Sequence, residues 1–146
     1  MIRRATSSDV PAISELMASK VPHFRNEGVH FSAETYEAQL LALMALERAG
    51  GDAVCFVSEA GDILAAAIVC CVVLHPTIGE RIGTEVTWAA KKEFAGHGRL
   101  VLKAAEDWFR ERGVSRFFAA CNDDRTAQLL MLLGFNETER VFEKML

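Results

Sequence analysis

The stretch Thr84-Glu-Val-Thr-Trp-Ala-Ala-Lys-Lys-Glu-Phe-Ala-Gly-His-Gly-Arg99 decides the reading of this chain. A β-rich segment runs into a glycine pair, Gly96 and Gly98, and an amphipathic run to Gly113 begins at once. Glycines let a backbone come close to a ligand, and the first N–H groups of a helix lack intrahelical partners. Those donors, with the positive end of the helix dipole, suit a phosphate or pyrophosphate. Lys91, Lys92, His97 and Arg99 place further cationic or protonatable groups beside the turn. A Gly-x-Gly at a strand–helix junction also serves as a plain tight connection, so the rest of the chain has to decide.

The 146 residues suit one domain, residues 1–146, with 51% hydrophobic and 25% charged residues, a globular balance. A net charge of −4 argues against a general nucleic-acid binder, which would carry a basic face. Any polyanion contact is then local to Lys91–Arg99. Met1-Ile-Arg-Arg leads directly into polar residues, which is not a secretory signal. The longest apolar run, Ile63–Leu74, falls short of the ~20 residues of a membrane-spanning helix, so no membrane partner is expected. Cys55, Cys70, Cys71 and Cys121 lie in apolar, strand-like runs without Cys-x-x-Cys spacing. They read as buried, reduced thiols of a cytoplasmic protein, with no metal site.

Periodicity supplies the elements. Ile2-Arg-Arg-Ala is a short strand. Thr6-Ser-Ser-Asp-Val-Pro-Ala starts a helix with Val10, Ile13, Leu16 and Met17 at helical spacing. Val21–Phe31 is a loop, and Ser32 caps a second helix that ends at Gly50-Gly51. Ala53–Glu59 and Ile63–Leu74 flank a hairpin turn, and the second, apolar throughout, is a central strand. Ile82–Ala90 is the next strand. Gly98–Arg112 is a helix with Leu100, Val101, Ala104, Ala105, Trp108 and Phe109 inward. Val114–Cys121 is a strand, Asp123 or Asp124 caps a helix to Leu133, and Thr138–Leu146 is a last strand. The order β-α-α-β-β-β-α-β-α-β describes an α/β (α+β) fold, a mixed central sheet flanked by helices. Ligands of such sheets bind beyond the carboxyl ends of the strands.

With this order and the glycine turn together, the chain resembles the GCN5-related N-acetyltransferases over nearly its whole length. Ile2-Arg-Arg-Ala-Thr-x-x-Asp-Val-Pro-Ala-Ile is similar to the usual opening of the family. The acyl-CoA signature, Gln/Arg-x-x-Gly-x-Gly/Ala, reads Glu93-Phe-Ala-Gly96-His-Gly98 here. The helix around Trp108, the run Asn122-Asp-Asp-Arg-Thr-Ala-Gln-Leu-Leu-x-x-Leu-Gly-Phe135 and a last strand ending Phe142-Glu-Lys follow the family's continuation. The resemblance implies acetyl-CoA in a cleft where Ile82–Ala90 splays from Val114–Cys121. Backbone at Gly96, His97, Gly98 and Arg99 would hold the pyrophosphate, helped by Lys92, with Arg125 in reach of the phosphates. Backbone near Trp88 and Ala90 would pair with the pantetheine arm and the thioester carbonyl, where N–H groups also stabilise an oxyanion. Two departures stand out. Glu93 replaces the usual Gln or Arg, and Leu130 stands where many members carry a tyrosine that protonates the leaving thiolate.

Transfer to an amine needs the amine neutral, so a base within reach helps. Glu85 is the first candidate, at a position where many members carry a glutamate; the alternative is a carboxylate on the strand face. His75, at the end of a long apolar strand, is the second, against the reading of a loop histidine. His23 and His30 lie in the loop that usually shapes the acceptor pocket, and Phe24, Arg25, His30 and Tyr36 are the substrate candidates; Phe31 reads as a core anchor. Asn122 either hydrogen-bonds the cofactor or caps the next helix. Trp88 and Trp108 read as core rather than substrate cage. The sequence therefore points to acetyl-CoA-dependent transfer to a small-molecule or peptide amine by direct attack. The alternatives are an acyl-CoA-binding or interaction module of the same fold, or a domain using the turn for another phosphorylated ligand. Family members commonly dimerise, and the last strand is the edge available for a homodimer.

Overall fold

Ile63–Leu74, apolar along its length, forms the middle of the sheet and is buried from Ala65 to Cys70. A computed structural model describes residues 1–20, 30–121, 123–138 and 144. The expectations placed on His23, Phe24, Arg25 and Asn122, and nearly all of the strand expected over Thr138–Leu146, lie outside the described residues.

In chain order the strands are β1 (Ile2–Arg4), β2 (Ala53–Ala60), β3 (Ile63–Leu74), β4 (Arg81–Ala90) and β5 (Phe117–Phe118). They lie side by side in that order, antiparallel except for β4 and β5, which are parallel. The helices are α1 (Val10–Ala18), α2 (Ala33–Arg48), α3 (His97–Glu111) and α4 (Asp124–Leu132). Two caps are set by sequence: the Ser32 hydroxyl accepts from the Thr35 N–H, and Asp123 accepts from the Thr126 N–H.

Register sorts the sheet into two faces. Opposed residues of antiparallel strands share a face. Val54, Cys70 and Glu85 form one row; Phe56, Ile68 and Trp88 a second; Ser58, Ala66 and Ala90 a third. These rows pack under α3, whose Val101, Leu102, Ala105, Trp108 and Phe109 are buried against them. The alternate residues, among them Cys55, Val57, Ala67, Val69 and Ala89, pack against α1 and α2. Val10, Ile13, Leu16 and Met17 are all buried there, as their spacing predicts.

Three details differ from the sequence reading. The strand expected over Val114–Cys121 pairs only at Phe117 and Phe118, opposite Gly83 and Thr84. Two residues further on, the Ala120 N–H donates to the Glu85 carboxylate at 3.1 Å, so a side chain takes the place of the next ladder bond. Leu100 is 45% exposed and Leu102 is buried, because α3 begins at His97 and its inward stripe runs through Val101, Leu102 and Ala105. All four cysteines are free, yet only Cys55 and Cys70 are buried; Cys71 is half-buried and Cys121, past the end of β5, is exposed.

At Gly83, β4 lies close beneath Phe109 of α3. A Cβ built there would lie 2.5 Å from Cε1 of Phe109. Gly83→Ala is therefore expected to overpack the core and cost about 1–3 kcal/mol, read as a lower midpoint of thermal unfolding. An unchanged midpoint would mean that Phe109 has room to turn away.

Candidate active site

Two strands that pair at their start and then part leave an opening between them. β4 and β5 are joined only at Gly83–Phe117 and Thr84–Phe118, and β4 continues alone to Ala90. A bulge in β4 sharpens the separation: Cys70 faces Glu85 and Val69 faces Thr87, leaving Val86 as the extra, exposed residue. Glu85 sits at the fork. Burial pushes its carboxyl above the usual range, and the bond from the Ala120 N–H opposes this. Beyond the bulge, Thr87 lies on the opposite face and shares a 2.9 Å hydrogen bond with the Tyr36 hydroxyl. Burial pushes that phenol up to about 12. Phe31 stacks at a tilt on Tyr36, ring centroids 5.4 Å apart, and belongs to the core beneath α1 and α2.

At the far end of β4 the chain turns into α3. Gly96, with φ at +92°, adopts the left-handed backbone that favours glycine. Gly98 is buried against the sheet: a Cβ there would lie 3.1 Å from that of Ala90 and 3.6 Å from Nε1 of Trp88. Trp88 Nε1 donates to the Gly98 carbonyl at 3.1 Å, so the indole clamps the first turn of the helix. His97 Nδ1 lies 2.8 Å from the Ser58 hydroxyl, which points its ring into the protein, while Arg99 is exposed. The His97 N–H donates to the Phe94 carbonyl at 3.4 Å and that of Leu100 to the Gly96 carbonyl at 3.1 Å, so the amides of Gly98 and Arg99 form the donor set open to an anion.

Glu93, the unusual signature residue, is exposed. It lines a hollow of about 580 Å³ with Lys20, Lys91, Lys92, Glu15 and Asp62, three lysines and three carboxylates in all. Lys20 is half-buried; desolvation, then the nearby Lys92 ammonium, lowers its pKa. Leu130, where a tyrosine was the alternative, is 5% exposed in the core under α3 and brings no proton donor.

His75 sits apart from Glu85 along the sheet, with its ring against Phe118 on the β5 side of the fork. It lies past the Leu74–Arg81 pair, at the opposite end of β4, and Glu85 is about 13 Å further along the strand from Arg81 at ~3.3 Å per residue. Its Nδ1 accepts the Thr77 and Ile78 N–H groups of its own turn, and its ring lies 6.1 Å from that of Phe118. Arg125, in the first turn of α4, and His30, at the edge of the described residues, are exposed. Lys92 is exposed beside the turn, and Ala90 is half-buried under it. Ser58, Thr87 and Lys20 are the residues that sequence reasoning passed over. A polar side chain at an inward position of an apolar strand was the available signal for Ser58. The step of two from Glu85 hides Thr87, because the bulge reverses its face.

Among the described residues no three His, Cys, Asp or Glu side chains gather to hold a metal, and no helix is long and apolar enough to cross a membrane.

Comparisons with known proteins place this geometry. The model of the acetyltransferase (GNAT) family matches residues 14–135. The fold is similar to that of an aminoglycoside 6′-N-acetyltransferase from Acinetobacter haemolyticus, at TM-score 0.75 and 17% identity over 100% of this chain and 99% of that one. It is similar to a GCN5-related N-acetyltransferase from Ralstonia eutropha, at TM-score 0.71 and 18% identity over 99% and 97% of the two chains. A Clostridium acetobutylicum protein described as a predicted acetyltransferase, and crystallised with acetyl-CoA, superposes at TM-score 0.79 with 13% identity over 99% and 95%. At these identities the likenesses speak for the fold alone. No curated protein matches the sequence. The family model spans the forked strands, the glycine turn and α4 together, and on that match the chain belongs to the GNAT acetyltransferase family.

Proposed function

We propose that the protein, as one domain, transfers an acetyl group from acetyl-CoA directly to a primary amine, with Glu85 as the base. The observation that carries this reading is the Glu85 carboxylate at the fork of β4 and β5, on the strand that leads into the Gly96–Gly98 turn. Amides of Gly98 and Arg99 bind the pyrophosphate, joined by that of His97 when it leaves the Phe94 carbonyl; Lys92 and Arg125 supply local positive charge, and Asn122 adds a polar contact. The free edge of β4 near Trp88 and Ala90 pairs with the pantetheine arm. Tyr36 and His30, with Phe24 and Arg25, bound the acceptor.

In the reaction Glu85 takes a proton from the bound ammonium, directly or through water. The amine nitrogen forms the new bond to the acyl carbon, the carbon–sulfur bond breaks, and CoA leaves as a thiol after protonation. A raised carboxyl pKa suits this step, because it brings the base closer to neutral pH. Cys121 is exposed near the fork, but burial and its acidic neighbours, Asp123 foremost, push its thiol pKa up. A thiol held protonated is a poor nucleophile, which supports direct transfer over a covalent relay through Cys121.

A second reading, an acyl-CoA-binding module without turnover, is favoured by Leu130 and Glu93. Calorimetric titration with CoA and with acetyl-CoA tests the shared part of both readings. Saturable binding of both at one site per chain is the expected result; no heat with either sinks both. A homodimer in the cytoplasm is the assembly and location we propose, checked by sedimentation of the full chain.

A further inference from the structure

His97 occupies the middle of the glycine turn, yet its side chain does not face outward. Its Nδ1 is 2.8 Å from the hydroxyl of Ser58 on β2, a side chain with 0% exposure. The ring of Phe94 meets it edge-on, centroids 6.0 Å apart. The imidazole is thus held on two sides, once by a hydrogen bond in the protein interior. A buried hydroxyl left without a partner is costly, so this bond ties the start of α3 to a strand two positions away from β4.

The register explains how the tie is reached. Ser58, Ala66 and Ala90 form one row across β2, β3 and β4, on the face that meets α3. Their small side chains make a floor on which the first turn of the helix lands. Ala90 sets the height, with its Cβ 3.1 Å from where a Cβ on Gly98 would be. Trp88 fixes the Gly98 carbonyl from one side. Ser58 fixes the neighbouring residue from the other. The register shifts just after this residue: Ser58 faces Ala66 and Glu59 faces Leu64, leaving Ala65 of β3 as the extra residue.

We infer that Ser58 is a positioning residue for the pyrophosphate turn, acting through His97 to hold the first amides of α3 in the geometry an anion needs. It touches no ligand. Its effect falls on ligands that carry the pyrophosphate and spares those that end at the pantetheine arm. This rests on the acetyl-CoA reading given above, and the experiment separates the two.

Ser58→Ala and Ser58→Thr are compared with the wild type in three measurements. Amide hydrogen exchange of the ligand-free protein is read at residues 100 and 101, the first hydrogen-bonded amides of α3, and at 105–109. Binding of CoA is read by calorimetry, and acetyl transfer is read with acetyl-CoA and with S-acetylpantetheine, which lacks the pyrophosphate. In Ser58→Ala the amides at 100 and 101 are expected to exchange at least fivefold faster while those at 105–109 keep their rates. Kd for CoA and KM for acetyl-CoA rise about five- to tenfold, a factor matching one lost hydrogen bond. The kcat with acetyl-CoA and the kcat/KM with S-acetylpantetheine stay within twofold, and Ser58→Thr restores the wild-type values. Unchanged exchange at 100 and 101 overturns the inference, as does an equal loss with both acyl donors. A wild type that binds no CoA removes the acetyl-CoA reading instead, and the exchange comparison still decides whether Ser58 holds the turn.

Discussion

Gly98→Val is expected to reduce CoA affinity by at least a hundredfold, to the limit of calorimetric detection, while the protein still folds. The residue lies where the helix comes down on the sheet. A single Cβ would already stand 3.1 Å from Ala90 and 3.6 Å from the Trp88 indole nitrogen, tighter than ordinary contact with Ala90. The two further methyls of valine have only Trp88, Ala90 or the ligand's own space to enter. Moving Trp88 breaks its bond to the Gly98 carbonyl and frees the turn. Moving the helix start carries away the amides that bind the anion. Either relaxation removes several charge-assisted hydrogen bonds at once, each worth about 1.5–3 kcal/mol, so the loss exceeds that of any single contact. Core packing further along α3, from Val101 to Phe109, is untouched, and the variant should unfold cooperatively within a few degrees of wild type. Gly98→Val with wild-type affinity would remove the turn from the binding site.

Glu85→Gln is expected to lower kcat/KM for the amine by about 10²–10⁴, the range of a lost general base, with CoA affinity within threefold of wild type. Glutamine keeps an oxygen to accept the Ala120 N–H, so the fork should hold its shape. The sign of the pH effect follows from burial. The base acts only when ionised, so wild-type kcat/KM falls as pH drops through the carboxyl pKa. Desolvation raises that pKa, so the fall begins above the ordinary value of 4.5, and the limb disappears in Glu85→Gln. Stability carries the same linkage with a consequence of its own. A carboxyl whose pKa is raised on folding favours the fold below its unfolded pKa and loses that contribution as pH rises through the folded one. Above that window the wild type holds a half-buried charge and Glu85→Gln does not. The variant is therefore expected to be at least as stable at neutral pH, which separates lost chemistry from lost structure. An acid limb persisting unchanged in Glu85→Gln would place the base elsewhere.

Much of the architecture is legible in one dimension because each element carries its own pattern. The uninterrupted apolar run Ile63–Leu74 has to be covered on both sides, and it is the middle strand. Ser32 and Asp123 announce helix starts through side chains that accept backbone N–H groups. The glycine turn is legible because Gly96 needs a left-handed backbone and Gly98 needs a close approach. What escapes is set by contacts between distant segments. The length of β5 depends on Glu85 reaching across to Ala120, which no pattern within Val114–Cys121 encodes. The bulge at Val86 moves Thr87 to the face of Tyr36, so a simple alternation along β4 misplaces it. The inward turn of His97 depends on Ser58, 39 positions earlier in the chain. The exposure of Cys121 follows from where β5 stops rather than from the apolar residues before it.

The measurement that bears most directly on the whole account is thiol release from acetyl-CoA by the wild-type protein across a panel of primary amines, with the acetylated product identified by mass. The account predicts stoichiometric release of CoA and formation of an N-acetyl amine with at least one member, in a reaction that Glu85→Gln slows by about 10²-fold or more. Saturable binding of acetyl-CoA without thiol release from any amine in a broad panel would contradict it, and would leave the fork and the turn as a binding site alone.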